Sequence, residues 1–256
     1  MKVKTERSLF FLQRTARQLR ENIIRISSEY GNGHIAPALS TVEILVTLYY
    51  EHMKEKDQFV LSKGHGCLGL FAVLQDLGYA PCIAGHPDID CSNGIHCTSG
   101  SLGHGIAVAA GKALARKVKH IPGTIYVLVG DGECQEGSVW ETINIARRFQ
   151  LHNFVIIIDH NKLQALDSVK AIQNETDLAA KFLAFGAHVV ESDGHDCDDL
   201  LAHLRQIKGI KGKPSVIIAH TVKGKGISFM ENDPKWHVRP LNDEERKRAL
   251  KENAHA

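Results

Sequence analysis

The 256-residue sequence predicts an α/β protein: a doubly wound, mostly parallel sheet with helices on both faces. Three observations predict it. Residues 124–129 (TIYVLV) and 154–159 (FVIIID) are short, continuous apolar runs, as expected of strands covered on both faces. The stretch 138–149 between them reads as a helix, and a strand–helix–strand unit implies parallel pairing. The alternation then continues with helix 177–185, strand 187–190, helix 198–208 and strand 215–219. No internal repeat, low-complexity segment or linker interrupts it, so residues 1–256 read as one domain.

The first half is less regular. Leu12, Ala16, Leu19, Ile23 and Ile26 recur at helical spacing, so an amphipathic helix opens the chain. A glycine-rich loop, 29–34, follows. Ser40 and Glu43 have the spacing of a capping box, starting a helix that carries Val42, Leu45, Val46 and Tyr49 inward. Residues 59–61 form a short strand, 62–66 (SKGHG) a loop, and 68–77 a helix ended by Gly78. Residues 79–105 hold Gly, Pro, Asp, Ser, Cys and His with little periodicity, which predicts an ordered binding loop running into an Ala-rich helix, 106–119. Asn242 and Glu245 form a second capping box, opening a charged helix over 242–253 that could lie along a partner protein.

Bulk properties exclude several functions. Lys and Arg number 31 against 29 Asp and Glu, without a basic block, which argues against nucleic acid. The longest apolar runs are too short to span a membrane, and the charged N-terminus lacks a cleavage-like site. The six cysteines form no CxxC pair, as expected of reduced thiols in a cytoplasmic protein. Histidine is abundant at 15, and several histidines sit beside glycine in loops.

Strand 124–129 runs into Gly130-Asp131-Gly132, and strand 154–159 into Asn161. Asp-Gly alone is ordinary turn chemistry. The pair says more, because adjacent parallel strands bring Asp131 and Asn161 to one carboxyl edge of the sheet, where open α/β folds bind ligands. A carboxylate, an amide oxygen and a backbone carbonyl suit magnesium or calcium held with phosphate oxygens. The helix after Asp131 turns its positive end toward the same edge, which favours an anion.

Gly130-Asp131-Gly132, then Asn161-Lys162 about 30 residues later, resembles the thiamin-diphosphate motif. The neighbouring stretches GDGECQEGSVWETINIA, NFVIIIDHNKLQ, HTVKGKGISFMEN and Trp236-His237 are similar to the N-terminal part of transketolases. So are Ser62-Lys63-Gly64-His65, Gly85-His86-Pro87 and Gly100-Ser101-Leu102-Gly103, and the likeness covers nearly the whole chain. It implies the thiamin-diphosphate-binding fold, with thiamin diphosphate and Mg2+ or Ca2+ as cofactors. The metal ligands it implies are Asp131, Asn161 and the carbonyl of Leu163. Gly132, His65 and His237 would adjoin the diphosphate, and Gly100, Ser101 and Leu102 the cofactor rings. His34, His65, His86 and His237 would line the substrate channel, and Glu136 would be a buried acid of the subunit interface, one link in a proton path. Imidazole suits hydrogen bonding and proton transfer near neutrality.

The sequence departs from the family in places. Gly33-His34-Ile35-Ala36 stands where Gly-His-Pro-Gly is usual, His104 replaces a common glutamine, His96 a common acid, and 163–168 read LQALDS. These changes lie in or near the substrate channel, so they leave the substrate open but not the cofactor. Transketolases have three domains and this chain matches the first. The resemblance therefore implies one subunit of a two-component enzyme, inactive without a C-terminal partner and expected as a heterotetramer. That enzyme would transfer a two-carbon ketol unit from a ketose to an aldehyde. A related decarboxylating acyl transferase acting on 2-oxo acids is the enzymatic alternative; the histidines favour a polyhydroxy donor. A cofactor-binding scaffold without turnover is the other, and Asp131, Asn161 and His65 argue against it.

Overall fold

The computed structural model describes residues 9–31, 33–173 and 177–255, so Asn32 of the first loop and the first eight residues lie outside the description. The first half contains α1 (Leu9–Tyr30), α2 (Ile35–Leu39), α3 (Val42–Val46), β1 (Gln58–Leu61), α4 (Cys67–Asp76) and α5 (His104–Val118). Then come β2 (Ile125–Gly130), α6 (Gly137–Arg148), β3 (Phe154–His160), α7 (Val169–Gln173) and α8 (Leu178–Ala184). The chain continues through β4 (His188–Asp193), α9 (Cys197–Ile207), β5 (Ser215–His220) and α10 (Asp243–His255).

The five strands form one sheet in the order β1-β2-β3-β5-β4, and every pair is parallel. Alternate strand residues feed two cores. Tyr126, Leu128, Val155, Ile157 and Ile217 pack with side chains of α1 to α4 and α9. Ile125, Val127, Val129, Ile156 and Ile158 pack with those of α5 and α6. Helices therefore cover both faces, which is why these strands read as unbroken apolar runs. Each fully buried aliphatic side chain contributes about 1.5–3 kcal/mol, so both cores bind the helices firmly to the sheet.

Two local expectations are corrected. Ser40 and Glu43 do not cap a helix: Thr41 occupies the N-cap of α3, without a side-chain bond. The Ser40 hydroxyl instead donates to Pro37 O and to Asp159 Oδ2 (2.7 Å), and Glu43 accepts from Arg20. Buried partners outcompeted the local cap. The tail helix does begin with a reciprocal box, Asn242 N to Glu245 Oε2 (3.0 Å) and Glu245 N to Asn242 Oδ1 (2.8 Å). Its buried residues Ala249 and Asn253 pack on this chain, with Asn253 Nδ2 donating to Arg17 O of α1. Strand β4 runs past its apolar part to Asp193, since its polar end still pairs with β5.

The irregular stretch is held by local bonds, with Asp90 capping the turn Cys91–Asn93 and Ser99 N donating to Pro87 O. Its end meets the 62–66 loop at close range: a Cβ on Gly64 would lie 2.7 Å from the Ser99 carbonyl. Only glycine admits that approach. Among the described residues, no helix is long and apolar enough to cross a membrane.

Candidate functional site

β2 and β3 end side by side, Gly130 opposite Asp159, so Asp131 and Asn161 emerge together at the carboxyl edge. There they help line a cavity of about 240 Å³. Its walls also include His34, His65, His86, His237, Gly100, Leu102, Gly132 and Leu163. Two residues expected at the site lie outside the lining. Ser101 is exposed beside it, and Glu136, expected as an acid of the subunit interface, is exposed at the N-cap of α6.

At one end, Asp131 accepts the backbone N–H of Gly132 (2.7 Å) and that of Lys162. Lys162 takes a left-handed conformation, φ 64°, which turns its N–H toward Asp131 and returns the Leu163 N–H to Asn161 Oδ1 (3.0 Å). The Asn161 amide is fixed from its other side, since Nδ2 donates to Asp159 Oδ2 (2.9 Å). Asp159 is fully buried and also binds Lys63, Ser40 and Thr221. Burial raises the proton affinity of Asp159, but the Lys63 charge and the hydrogen bonds from Lys63, Thr221 and Ser40 together outweigh it and hold the carboxyl below its ordinary range. Asp131 shifts the other way: burial, then the Asp159 charge, pushes its pKa up to about 7.

That contrast is a test of fit for a divalent cation. Asp131 is a buried carboxylate short of positive charge, beside an oriented amide oxygen and a row of loop carbonyls. The Lys223 ammonium already rests against that row, donating to Gln164 O (2.8 Å) and lying 3.5 Å from Leu163 O. The oxygens present therefore fit a hard cation. Among the described residues no three His, Cys, Asp or Glu side chains gather as a metal cage. The oxygens gathered here are instead one carboxylate, one amide and backbone carbonyls.

At the other end the histidines crowd together. The His34 ring centroid lies 5.8 Å from His65, 5.4 Å from His86 and 5.2 Å from His237, and His65 lies 5.1 Å from His237. Burial, then neighbouring positive groups, lowers the His34 pKa to about 4 and that of His237 to about 3. The same causes bring His65 well below the ordinary value. These three rings are neutral at pH 7. The His34 Nδ1 atom is buried without a hydrogen-bond partner. Lys223 Nζ lies 2.8 Å from His237 Nδ1. An ammonium can only donate, so Nδ1 accepts and His237 carries its proton on Nε2.

Several residues escaped the sequence reading. Lys63 was visible within SKGH but had no assigned task; it is the buried counter-charge of Asp159, 1% exposed. In the local sequence Lys223 reads equally well as a solvated charge or as a flank of the site loop; it is also 1% exposed. Glu133, two residues past Asp131, stitches three loops together. Its carboxylate accepts from Ser62 Oγ (2.6 Å), Gly103 N (2.8 Å) and Gly130 N (3.1 Å). Position 103 admits only glycine: φ is 81°, and a Cβ would fall 2.1 Å from Ser138 Oγ. Cys134 is a buried packing residue of the second core.

Residues 13–254 match the family described as "Transketolase, thiamine diphosphate binding domain". The chain belongs to this family. Among similar transketolase proteins is the 6-deoxy-6-sulfo-D-fructose transketolase subunit SqwG of Clostridium sp. (strain MSTE9), 37% identical over 94% of this chain and 95% of that one. An apulose-4-phosphate transketolase subunit of Actinobacillus succinogenes is also 37% identical, with the same coverage. A transketolase structure from Leishmania mexicana superposes with a TM-score of 0.86 at 27% identity, over 98% of this chain. The chain spans 42% of the length of that transketolase.

Proposed function

We propose that this chain is the thiamin-diphosphate-binding subunit of a two-component transketolase, a single-domain cytoplasmic protein that needs a C-terminal partner. The assembled enzyme moves a two-carbon ketol unit from a ketose to an aldehyde. One observation carries the reading: a single cavity joins a hard-oxygen end, Asp131 and Asn161, to a cluster of four imidazoles. A polyhydroxy substrate beside a metal-held diphosphate needs both. The named subunits that this chain matches over nearly their whole length support the two-component arrangement.

When bound, thiamin diphosphate supplies a carbanion-stabilising ylid. Asp131, Asn161 and the Leu163 carbonyl would hold Mg2+ or Ca2+ together with its diphosphate, and Gly132, His65 and His237 would adjoin that group. Gly100 and Leu102, with Ser101 between them, would border its rings. Neutral imidazoles both donate and accept, so His34, His65 and His237, together with His86, can bind donor hydroxyls and pass protons between them. Their crowding and burial keep water from competing. Glu136, outside the cavity of the isolated subunit, becomes buried on assembly. Val108 and Ile145, exposed on the paired helices α5 and α6, give that interface apolar surface.

The test is reconstitution. The purified chain with thiamin diphosphate and Mg2+ should be folded but inactive in ketol transfer. Addition of a partner subunit of about 300 residues should restore turnover. Robust turnover by a verified single-chain preparation refutes the reading.

A further inference from the structure

The backbone that delivers Lys223 to the cavity is gripped from a different cavity. Val222 N–H donates to His195 Nε2 (2.8 Å), and Lys225 O accepts from Arg20 Nε (3.2 Å). Lys223 lies between these two grips. Glu43 ties them together: one carboxylate oxygen takes Arg20 Nη2, and the other lies 3.0 Å from His195 Nδ1. None of these three side chains lines the histidine cavity; all three border a separate one of about 560 Å³ against α1 and α9.

The geometry also sets the tautomer. A backbone N–H only donates, so His195 Nε2 is bare and its proton sits on Nδ1, facing Glu43. Arg20 and Glu43 are 8% and 7% exposed. A buried ion pair contributes little net stability, because desolvation offsets the attraction; what it supplies is fixed geometry. Here every arm of the array ends on another element: α1 through Arg20, α3 through Glu43, the turn before α9 through His195, and the 222–225 backbone. Gly226, φ 91°, closes the loop with a would-be Cβ 3.0 Å from the Arg20 stem, so the guanidinium packs on bare backbone.

We propose that Arg20, Glu43 and His195 form a clamp that positions Lys223. Lys223 in turn holds the Gln164 carbonyl and the His237 tautomer at 2.8 Å each. The three clamp residues touch neither substrate nor cofactor; they act through the loop backbone. Displacement of about 1 Å is enough to lose contacts of this length, and misplacement of that size costs about a hundredfold in rate. The role assigned to Lys223 rests on the thiamin-diphosphate reading of the cavity; the clamp itself does not.

The experiment compares His195→Ala with His195→Gln and Glu43→Gln in the full chain. In His195→Gln the introduced amide can still accept from Val222 and donate to Glu43. Hydrogen–deuterium exchange at 221–226 should rise about tenfold in His195→Ala and return toward wild type in His195→Gln. Labelling of Lys223 by trinitrobenzenesulfonate should follow the same order. In the enzyme assembled with its partner, affinity for Mg2+–thiamin diphosphate should fall about tenfold in His195→Ala and recover in His195→Gln. Glu43→Gln serves if His195→Ala does not fold, and should loosen the same segment. Unchanged exchange and labelling overturn the clamp, as does exchange raised throughout the molecule, which marks a merely structural residue. Failure of the wild-type assembly to bind thiamin diphosphate overturns the functional reading instead, while exchange and labelling still decide the clamp.

Discussion

At one end of the cavity, Asp159 and Lys63 face each other in a fully buried pair, and Asp131 is left without a matching cation. At the other, burial leaves His34, His65 and His237 neutral, in rings 5.1–5.8 Å apart. Both ends are buried, yet burial does opposite work. Around the carboxylates it creates a demand for positive charge. Around the imidazoles it removes charge and leaves groups that both donate and accept, with His34 Nδ1 still unpartnered. The first suits a metal and a diphosphate, the second a chain of hydroxyls.

Substituting Asp131→Ala should break the first end outright. Loss of groups that merely orient a metal ligand costs about 10–100-fold in metal affinity, so loss of the anionic ligand should exceed about a hundredfold. Calorimetry of the assembled enzyme, with and without chelator, measures it. Unchanged, metal-independent affinity for thiamin diphosphate would end the metal assignment.

The histidine end should fail differently. His65→Ala and His34→Ala should each lower kcat by about a hundredfold, the lower part of the range for a positioned proton carrier, because four rings share the task. Melting temperature should move little, since both residues sit in loops rather than in either apolar core. Full activity in both variants with every accepted donor would show that the cluster is not the substrate channel.

Asp159→Asn probes what joins the two ends. The substitution keeps the shape, removes the counter-charge of Lys63, and weakens the hold on Asn161 Nδ2. Stability should fall by about 3 kcal/mol, as when one partner of a buried pair is removed. Cofactor affinity should fall about tenfold, through the loosened ligand rather than a lost one. Urea unfolding and calorimetry separate the two effects. A fall in stability with unchanged affinity would show that Asp159 does not orient Asn161.

How far the sequence reveals this contrast depends on the distance over which each interaction acts. The strands, their parallel order and the meeting of Asp131 with Asn161 follow from local runs and from the geometry of a strand–helix–strand unit, so they are legible. The glycines that crowd the loops are legible as a motif. The partners of Glu43, Lys63 and Lys223 are not, because each is set by elements far apart in the chain: Glu43 meets His195 across 152 positions and Lys63 meets Asp159 across 96. For Ser40 and Glu43 the local pattern was misleading, since two polar residues at cap spacing found stronger buried partners. The four imidazoles lie on four separate loops, so only a family likeness could group them in advance. That likeness did not reveal that Lys223 sets the His237 tautomer.

The mildest perturbation, a change of pH with no residue replaced, separates the two ends most cleanly. The pKa of Asp131 in the folded, metal-free protein is raised from 3.8 to about 7. Between those values the native state holds a proton that the unfolded chain has released, so the Asp131 contribution to stability is full below 3.8 and lost as pH rises through 7. A metal must displace that proton, so affinity for Mg2+–thiamin diphosphate should fall about tenfold per pH unit below about 7. The imidazoles respond with the opposite sign. The pKa of His34 is lowered from 6.5 to about 4, so below 6.5 the unfolded chain gains a proton that the native state refuses, and stability falls as pH drops toward 4. His237, lowered to about 3, behaves alike. Between about pH 7 and 5, then, the carboxylate end should lose its cofactor while the ring resonances of His34 and His237 remain those of neutral imidazole. Calorimetry at several pH values in buffers of different ionisation enthalpy should find about one proton released on binding near pH 6 and almost none near pH 8. Affinity independent of pH across that interval would mean that Asp131 does not stand against the metal; rings that charge near pH 6 would mean that burial does not keep the imidazoles neutral.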